Sequence, residues 1–277
     1  MTEPMAEAAA PVRIERDGDV AVVVLENPPL NLFDVPALNA LEHVAAELVA
    51  LTDPAAEGRV RAVLFEGRGK VVSAGVDVTF FRDIAEGPEP LRRGADLWTR
   101  LLRVVQTFED LPVPTVFAAH GLTLTAAFEL SLACDILLAA EKASFGLVEI
   151  VVGLTPSMGG PQRLAERAGP ARAKELIFTG ERYPAAVLER WNVVNRVLPD
   201  DGFAAAAREY AHRLAAGPTV AHAATKRLVV TAVREGARAA DALVPEVSGA
   251  LFGTADLRGA VASFLTDGPG RATYTGR

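Results

Sequence analysis

Two glutamates near the middle of the chain stand in segments that are otherwise mostly apolar, where a charged side chain is unusual. Glu149 is the only charged residue between Phe145 and Gly153. Glu129 follows Ala126 by three residues, one turn into a helix that the spacing of apolar residues predicts. Carboxyl groups held in a site can transfer protons as general acids and bases, but a structural salt bridge explains a single carboxylate equally well. The residue types alone leave both explanations open.

Two junctions between a predicted strand and a predicted helix present backbone N–H groups. The first is residues 73–77, whose small side chains let a ligand approach the main chain near the N–H of Val76. The second is residues 120–129, where the N–H of Ala126 belongs to the first helical turn and has no partner inside the helix. Two such donors that converge on one oxygen form an oxyanion hole. Neither junction is specific on its own.

The elements that must position these residues follow from periodicity. Asp17-Gly18 predicts the turn of a hairpin, and Asp34 is a predicted N-cap. The predicted strands lie at 12–25 (the hairpin), 60–65, 113–118 and 136–139, and the helices between them lie at 38–49, 91–111 and 124–133. Strands that alternate with helices favour an α/β fold with a parallel sheet and ligands near its strand ends.

Beyond Gly160 the pattern changes to helices separated by proline or glycine. The predicted helices lie at 172–178, 184–190, 203–214, 219–235, 237–251 and 255–265. The chain therefore divides into a tail at residues 1–11 that we expect to be disordered, a core at residues 12–200 that carries the site, and a helical region at residues 201–277.

Composition argues against several classes of function. The formal net charge is −7, and no run of Lys or Arg is long enough to follow a phosphate backbone, so nucleic acid is not an expected partner. No apolar run approaches the roughly 20 residues of a membrane span, and residues 1–11 lack the features of a secretory signal. Cys134 is the only cysteine and the four histidines are scattered, so neither an intrachain disulfide nor a metal site is expected. We expect a soluble, cytoplasmic protein.

A series of segments carries a likeness to one protein family. In chain order they are residues 20–31, 60–77, 114–162, 178–182 and 192–199. The most specific part is residues 135–139 followed by Phe145-Gly146 and by residues 159–163. Together these segments resemble the crotonase superfamily, also called the enoyl-CoA hydratase/isomerase family. The resemblance implies a crotonase-like (ClpP/crotonase) spiral of ββα repeats with a helical C-terminal trimerisation region, assembled as a homotrimer or homohexamer.

The resemblance also implies roles for individual residues. It implies that the N–H groups of Val76 and Ala126 form the oxyanion hole and that Glu129 and Glu149 are the catalytic residues. The residues implied in substrate binding are Leu30, Ala74, Gly75, Asp77, Phe80, Gly121, Thr125, Gly153 and Arg271. Further candidates for an apolar wall, which core packing explains as well, are Phe33, Phe81, Trp98 and Leu101. The implied substrate is an acyl-CoA thioester, and since coenzyme A is part of it, no separate cofactor and no metal are expected.

The sequence departs from the family pattern at three places. Thr125-Ala126-Ala127 replaces three glycines, and His120 replaces an asparagine. A backbone N–H survives these changes, but the added side chains narrow the approach to the thioester, and any φ above zero would be strained. Thr79-Phe80-Phe81 stands where many relatives have a lysine and an acid, and Arg82 is a candidate replacement for the cation.

The two glutamates together favour enoyl-CoA hydratase activity, in which water adds to a 2-enoyl-CoA and gives a 3-hydroxyacyl-CoA. Two alternatives are open. One is an enoyl-CoA isomerase or other biosynthetic crotonase that uses Glu149 alone, and the other is a non-catalytic acyl-CoA-binding protein marked by the changes at residues 125–127. Fold analogy cannot decide among them.

Overall fold

The computed structural model describes residues 10–277. The strands are β1 (Val12–Asp17), β2 (Val20–Leu25), β3 (Ala62–Gly67), β4 (Thr115–Ala119), β5 (Leu122–Leu124), β6 (Ile136–Ala140), β7 (Ser144–Gly146), β8 (Tyr183–Pro184) and β9 (Arg196–Leu198). The helices are α1 (Val35–Thr52), α2 (Val78–Ala85), α3 (Pro90–Asp110), α4 (Ala126–Ala133), α5 (Gly160–Ala168), α6 (Pro170–Thr179), α7 (Ala185–Arg190), α8 (Phe203–Ala215), α9 (Thr219–Glu235), α10 (Ala237–Leu251) and α11 (Ala255–Asp267). Most of the predicted tail at residues 1–11 lies outside the described residues and stays a prediction.

The main sheet has six strands in the order β1-β2-β3-β4-β6-β9. The pair β1 and β2 is the predicted antiparallel hairpin, and every other pair is parallel. Successive residues of β2 pack into two different cores, Ala21 and Val23 into one, Val22 and Val24 into the other. Both faces of the sheet are therefore covered, which explains the continuous apolar run of β2. The α/β fold with parallel crossovers is confirmed.

The parallel register brings the two sequence junctions together. Glu66 of β3 pairs with Ala118 of β4, so the loops that follow these strands leave the same edge of the sheet. An isolated bridge between Ser73 and Thr123 joins the two loops directly. The N–H groups of both junctions thus lie in one region of the molecule.

A second, three-stranded sheet in the order β5-β7-β8 was not predicted. Residues 122–124 form β5 against β7, so the helix predicted from Leu124 begins at Ala126 instead. Helix α2 was also missed, although Asp77 caps it by accepting from the N–H of Thr79 (2.9 Å). The strand predicted at residues 60–65 begins two residues later, at Ala62.

The C-terminal part is helical, as predicted. Helix α8 lays Ala207, Ala211 and Ala215 against the main sheet. Helix α9 packs mainly against α10, and α11 leaves three large apolar side chains exposed: Val261, Phe264 and Leu265. Among residues 10–277, no helix combines the length and the hydropathy that a membrane crossing requires.

The single cysteine of the chain lies between α4 and β6. The Cys134 thiol is buried and donates to the carbonyl of Leu130 (3.5 Å). Burial raises the pKa of this thiol to about 12, so the group is a packed, unreactive thiol in the folded protein.

Candidate active site

The loop after β3 is held by side-chain hydrogen bonds from the segment that precedes α1. The Asn31 side-chain amide donates to three carbonyls of this loop. They belong to Arg68 (2.7 Å), Val71 (3.1 Å) and Val72 (3.2 Å). The Ser73 hydroxyl donates to the Asn31 carbonyl (2.6 Å) and accepts from the Gly75 N–H (3.0 Å). The backbone that leads to Val76 is therefore fixed before any ligand binds.

Val76 ends this loop with its N–H free of protein partners. The carbonyl of Gly75 accepts from the Phe33 N–H (2.9 Å), and the N–H of Asp77 donates to the Phe33 carbonyl (3.2 Å). Between these two bonds, the Val76 N–H donates to no acceptor within the described residues. Gly75 has φ +110°, a value that favours glycine, and this turn aims the following amide.

The second junction presents the N–H of Ala126 at the start of α4. Thr125 donates its N–H to the Gly146 carbonyl (2.9 Å), and its carbonyl accepts the first helical hydrogen bond, from Glu129 (2.9 Å). The Ala126 N–H lies ahead of the helical ladder and has no acceptor in the part of the chain that the structure covers.

Thr125 holds a strained backbone conformation, with φ +47° and ψ −120°. This region is occupied by glycine at the first central position of a type II′ turn, and a β-branched residue there costs roughly 1–3 kcal/mol. The strain expected from the sequence for a φ above zero is therefore present at one of the three replaced positions. Ala126 and Ala127 have helical backbone and carry no such strain.

Val76, Ala126 and the two glutamates line one cavity of about 180 Å³. Its wall is mostly apolar. The lining residues are Leu38, Ala74, Val76, Val78, Phe80, Phe81, Leu97, Trp98, Leu101, Thr125, Ala126, Glu129, Val148, Glu149, Val151, Val152, Leu154, Thr155, Ser157 and Met158. An apolar cavity with a few convergent polar groups is the usual form of a small-molecule site.

Glu129 is buried and its carboxylate is oriented by backbone N–H groups. Its Oε1 accepts from Met158 (2.9 Å) and from Gly160 (2.7 Å), at the start of α5. A Cβ at Gly160 would lie 2.8 Å from the same Oε1, so any larger residue there would displace the Glu129 side chain. Burial, followed by the nearby charge of Glu149, raises the pKa of Glu129 to about 8, although the two N–H donors act in the opposite direction.

Glu149 opens a 3₁₀ turn, Glu149–Val152, that follows β7. Its Oε2 is buried and has no hydrogen-bond partner among residues 10–277. Burial raises the pKa of Glu149 to about 7.

The two carboxyl groups therefore titrate near neutral pH and influence each other, so their pKa values describe the pair. Between the two values the pair carries one proton. A site in that state offers a neutral carboxyl group that can donate a proton and a carboxylate that can accept one.

Residues 15–269 match the sequence profile of the family described as enoyl-CoA hydratase/isomerase. The chain belongs to the enoyl-CoA hydratase/isomerase family. The resemblance stated from the sequence is thus confirmed.

Named relatives within this family act on CoA thioesters. The short-chain-enoyl-CoA hydratase of Clostridium acetobutylicum is 30% identical over 258 residues, which is 92% of this chain and 94% of the relative. The carnitinyl-CoA dehydratase of Salmonella enteritidis is 34% identical and covers 78% of this chain and 79% of its own. The crystal structure of an enoyl-CoA hydratase from Bacillus anthracis superposes with a TM-score of 0.84 at 26% identity, over 96% of this chain and all of the other.

In this family member, some residues expected to bind substrate line the cavity and others do not. Ala74, Phe80 and Thr125 line it, as do three further wall candidates: Phe81, Trp98 and Leu101. Phe33 is instead fully buried, which fits the alternative of core packing.

The remaining expected contacts lie outside the cavity wall. Leu30 is exposed and accepts the N–H of Ala74 through its carbonyl (2.9 Å). Gly153 closes the turn that begins at Glu149, and Gly121 packs against the backbone of Lys70. Gly75 and Asp77 shape the Val76 turn from either side. Arg271 is exposed beyond α11, and Arg82 is exposed beside Asp83 (3.3 Å). For all the residues expected to bind substrate, the contact itself stays a prediction.

Sequence reasoning missed several groups of the site. The N–H donors of Met158 and Gly160 carry no residue signature, because any amino acid but proline supplies one. Leu38 of α1 and Leu97 of α3 were assigned only to helix faces, because the same periodicity describes a core face and a cavity wall.

Proposed function

We propose that the protein is an enoyl-CoA hydratase, which adds water across the 2,3 double bond of a 2-enoyl-CoA and gives a 3-hydroxyacyl-CoA, reversibly. The observation that carries this proposal is the pair of carboxyl groups, both with pKa values raised toward neutrality, on the same cavity as two backbone N–H groups without protein acceptors. The hydratase and the dehydratase among the relatives support it.

In the proposed reaction, the thioester oxygen accepts hydrogen bonds from the N–H groups of Val76 and Ala126. The thioester is conjugated to the double bond, so attack of water at Cβ moves charge onto this oxygen, where the donors stabilise it. Glu129 orients the water and takes one of its protons, and Glu149 gives a proton to Cα. The hydroxyl ends on Cβ, the hydrogen ends on Cα, and a proton returned from Glu129 to Glu149 resets the pair.

These roles require the shared proton to lie on Glu149 when substrate is bound. In the free site, at a pH between about 7 and 8, the two carboxyl groups share one proton. A water that donates a hydrogen bond to Glu129 stabilises its ionised form and shifts the proton to Glu149. The reverse reaction, dehydration, uses the same groups in the opposite order. The reaction moves only protons and water, so it needs no cofactor besides the coenzyme A of the substrate.

The test is hydration of crotonyl-CoA, followed by loss of the conjugated-thioester absorbance. We expect Glu129→Gln and Glu149→Gln each to lower kcat by about 10²–10⁴-fold, because each removes a proton-transfer group. Glutamine keeps the shape of the side chain and can still accept from Met158 and Gly160 at position 129.

The matched control is Glu47→Gln, which changes an exposed glutamate of α1 and should leave kcat unchanged. Thermal unfolding of all variants checks that they fold. Wild-type turnover in either active-site variant would reject the assignment. An isomerase that uses Glu149 alone would keep its activity on a 3-enoyl-CoA in Glu129→Gln, and an acyl-CoA-binding protein would bind substrate without turnover.

We also propose that the protein is a cytoplasmic homotrimer or homohexamer. Support for the assembly comes from the apolar side chains that α11 exposes. A single, buried cysteine suits a reducing compartment.

A further inference from the structure

Thr125 combines three properties that the reaction described above does not use. Its backbone is strained, since φ +47° and ψ −120° suit glycine and not a β-branched residue. Its side chain is buried at the wall of the cavity. Its hydroxyl has no hydrogen-bond partner anywhere in residues 10–277. A strained residue with an unpaired buried polar group is a pattern that functional sites preserve.

The position of the side chain relates it to both amides of the site. Thr125 directly precedes Ala126, and its side chain lies against Gly75, which directly precedes Val76. A Cβ built on Gly75 would be 2.6 Å from the Thr125 Oγ1 and 3.3 Å from its methyl group. The hydroxyl thus belongs to the residue before one amide donor and lies against the residue before the other. Rotation about the χ1 bond moves the hydroxyl among three staggered positions on Cβ, so its direction can change without movement of the backbone.

We propose that the Thr125 hydroxyl donates a third hydrogen bond to the thioester oxygen of the bound acyl-CoA. This inference rests on the proposed function. The hydroxyl gains the acceptor that it lacks in the protein, and the charge that develops on the oxygen gains a donor next to the two amides. Glycine at this position would relieve the strain but supply no donor.

The test separates the hydroxyl from the shape of the side chain. Thr125→Val keeps the β-branched shape and the backbone strain but removes the hydroxyl, whereas Thr125→Ser keeps a hydroxyl. The first readout is the absorption of 2,4-hexadienoyl-CoA, a conjugated thioester, when it binds. Hydrogen bonds to the thioester oxygen move this absorption to longer wavelength, and the shift does not depend on which reaction follows.

We expect Thr125→Val to bind the probe with a smaller shift than the wild type and to hydrate crotonyl-CoA with a kcat lower by about 10²-fold, as for loss of one oxyanion donor. Thr125→Ser should keep the shift and stay close to the wild-type kcat. Melting temperatures of the two variants check that they fold.

Three results would overturn the inference. A wild-type shift and rate in Thr125→Val would show that the hydroxyl does not contact the thioester, and an equal loss in Thr125→Val and Thr125→Ser would show that a hydroxyl at this position does not preserve the effect. If either occurs while Glu129→Gln and Glu149→Gln abolish hydration, the proposed function stands and only the third donor fails. A wild-type protein that neither hydrates crotonyl-CoA nor shifts the probe would overturn both proposals.

Discussion

The two carboxyl groups of the cavity differ from ordinary glutamates because each ionises near neutral pH. Glu129 and Glu149 have pKa values raised to about 8 and about 7 by burial and, for Glu129, also by the charge of its neighbour. Below both values the pair is neutral and lacks a base. Above both values the pair is doubly ionised and lacks an acid.

Because the pair lacks a base below both pKa values and an acid above both, we predict a bell-shaped pH dependence of kcat/KM for hydration. Its maximum should lie between about pH 7 and 8. The measurement is initial rates on crotonyl-CoA in buffers of constant ionic strength from pH 5 to 10. Rates that stay level across this range would contradict the shared proton. Glu47→Gln should reproduce the wild-type curve, because this glutamate is exposed and distant in the chain from both carboxyl groups.

For individual residues, the sequence indicates the candidates for the site, but it does not indicate the environment in which they lie. Glu129, Glu149, Val76 and Ala126, which the sequence marks as candidates, all line one cavity, and their roles stay predictions. The pKa values could not be predicted, because they depend on burial by chain segments that are distant in sequence. The sequence predicted strain at Thr125 only if its φ was above zero, and φ of Thr125 is +47° in the structure.

At the scale of elements, the long strands and helices were predicted, and the strands of two or three residues were not. Strands β2 and β4 and helices α1 and α3 carry five or more residues of clear periodicity. Strands β5, β7 and β8 have two or three residues each, too few for a period to be read. They exist because they pair with one another, as when Leu124 pairs with Gly146, and this pairing ends just before Ala126. The missed sheet thus decides where α4 begins.

Gly160, the first residue of α5, holds the Glu129 carboxylate in place, so a change at Gly160 should affect the site. Gly160→Ala would place a Cβ 2.8 Å from Oε1 and 2.9 Å from Cγ of Glu129, so the carboxylate must move away from its two N–H donors. We expect kcat for hydration to fall by about 10²-fold or more, because a general base that is misplaced by an ångström loses much of its effect. Steady-state kinetics on crotonyl-CoA measures this change.

The matched control for this change is Gly94→Ala. Gly94 lies inside α3, and a Cβ there meets no atom within 4 Å. Alanine should leave kcat unchanged and stabilise the helix by roughly 0.5–1 kcal/mol. Equal kinetics for the two alanine variants would show that Gly160 is not needed for the position of Glu129.

At the scale of the whole molecule, the helical region both covers the sheet and leaves apolar surface. Helix α8 buries a face of alanines, whereas Val261, Phe264 and Leu265 of α11 are 50%, 60% and 79% exposed. Helical spacing in the sequence predicted these helices but not which of them are covered, because exposure depends on neighbours, including other subunits. A cluster of this kind on one helix is typical of a subunit contact.

We therefore predict that the wild-type protein sediments as a trimer or hexamer and that the double change Phe264→Asp and Leu265→Asp yields smaller species. Two charges in an apolar contact lose hydration without gaining a partner. Sedimentation velocity at several protein concentrations measures the assembly, and circular dichroism checks that the variant is folded. A monomeric wild-type protein would contradict the prediction.

The buried thiol of Cys134, at the end of α4, offers a way to measure ligand binding. The helix that begins with the Ala126 amide and carries Glu129 ends one residue before Cys134, and no other cysteine exists to react. Alkylation of this thiol requires a local opening that exposes it, and the labelling rate reports on that opening. We expect a ligand that binds at the first turn of α4 to slow this labelling, which would measure ligand occupancy without catalysis.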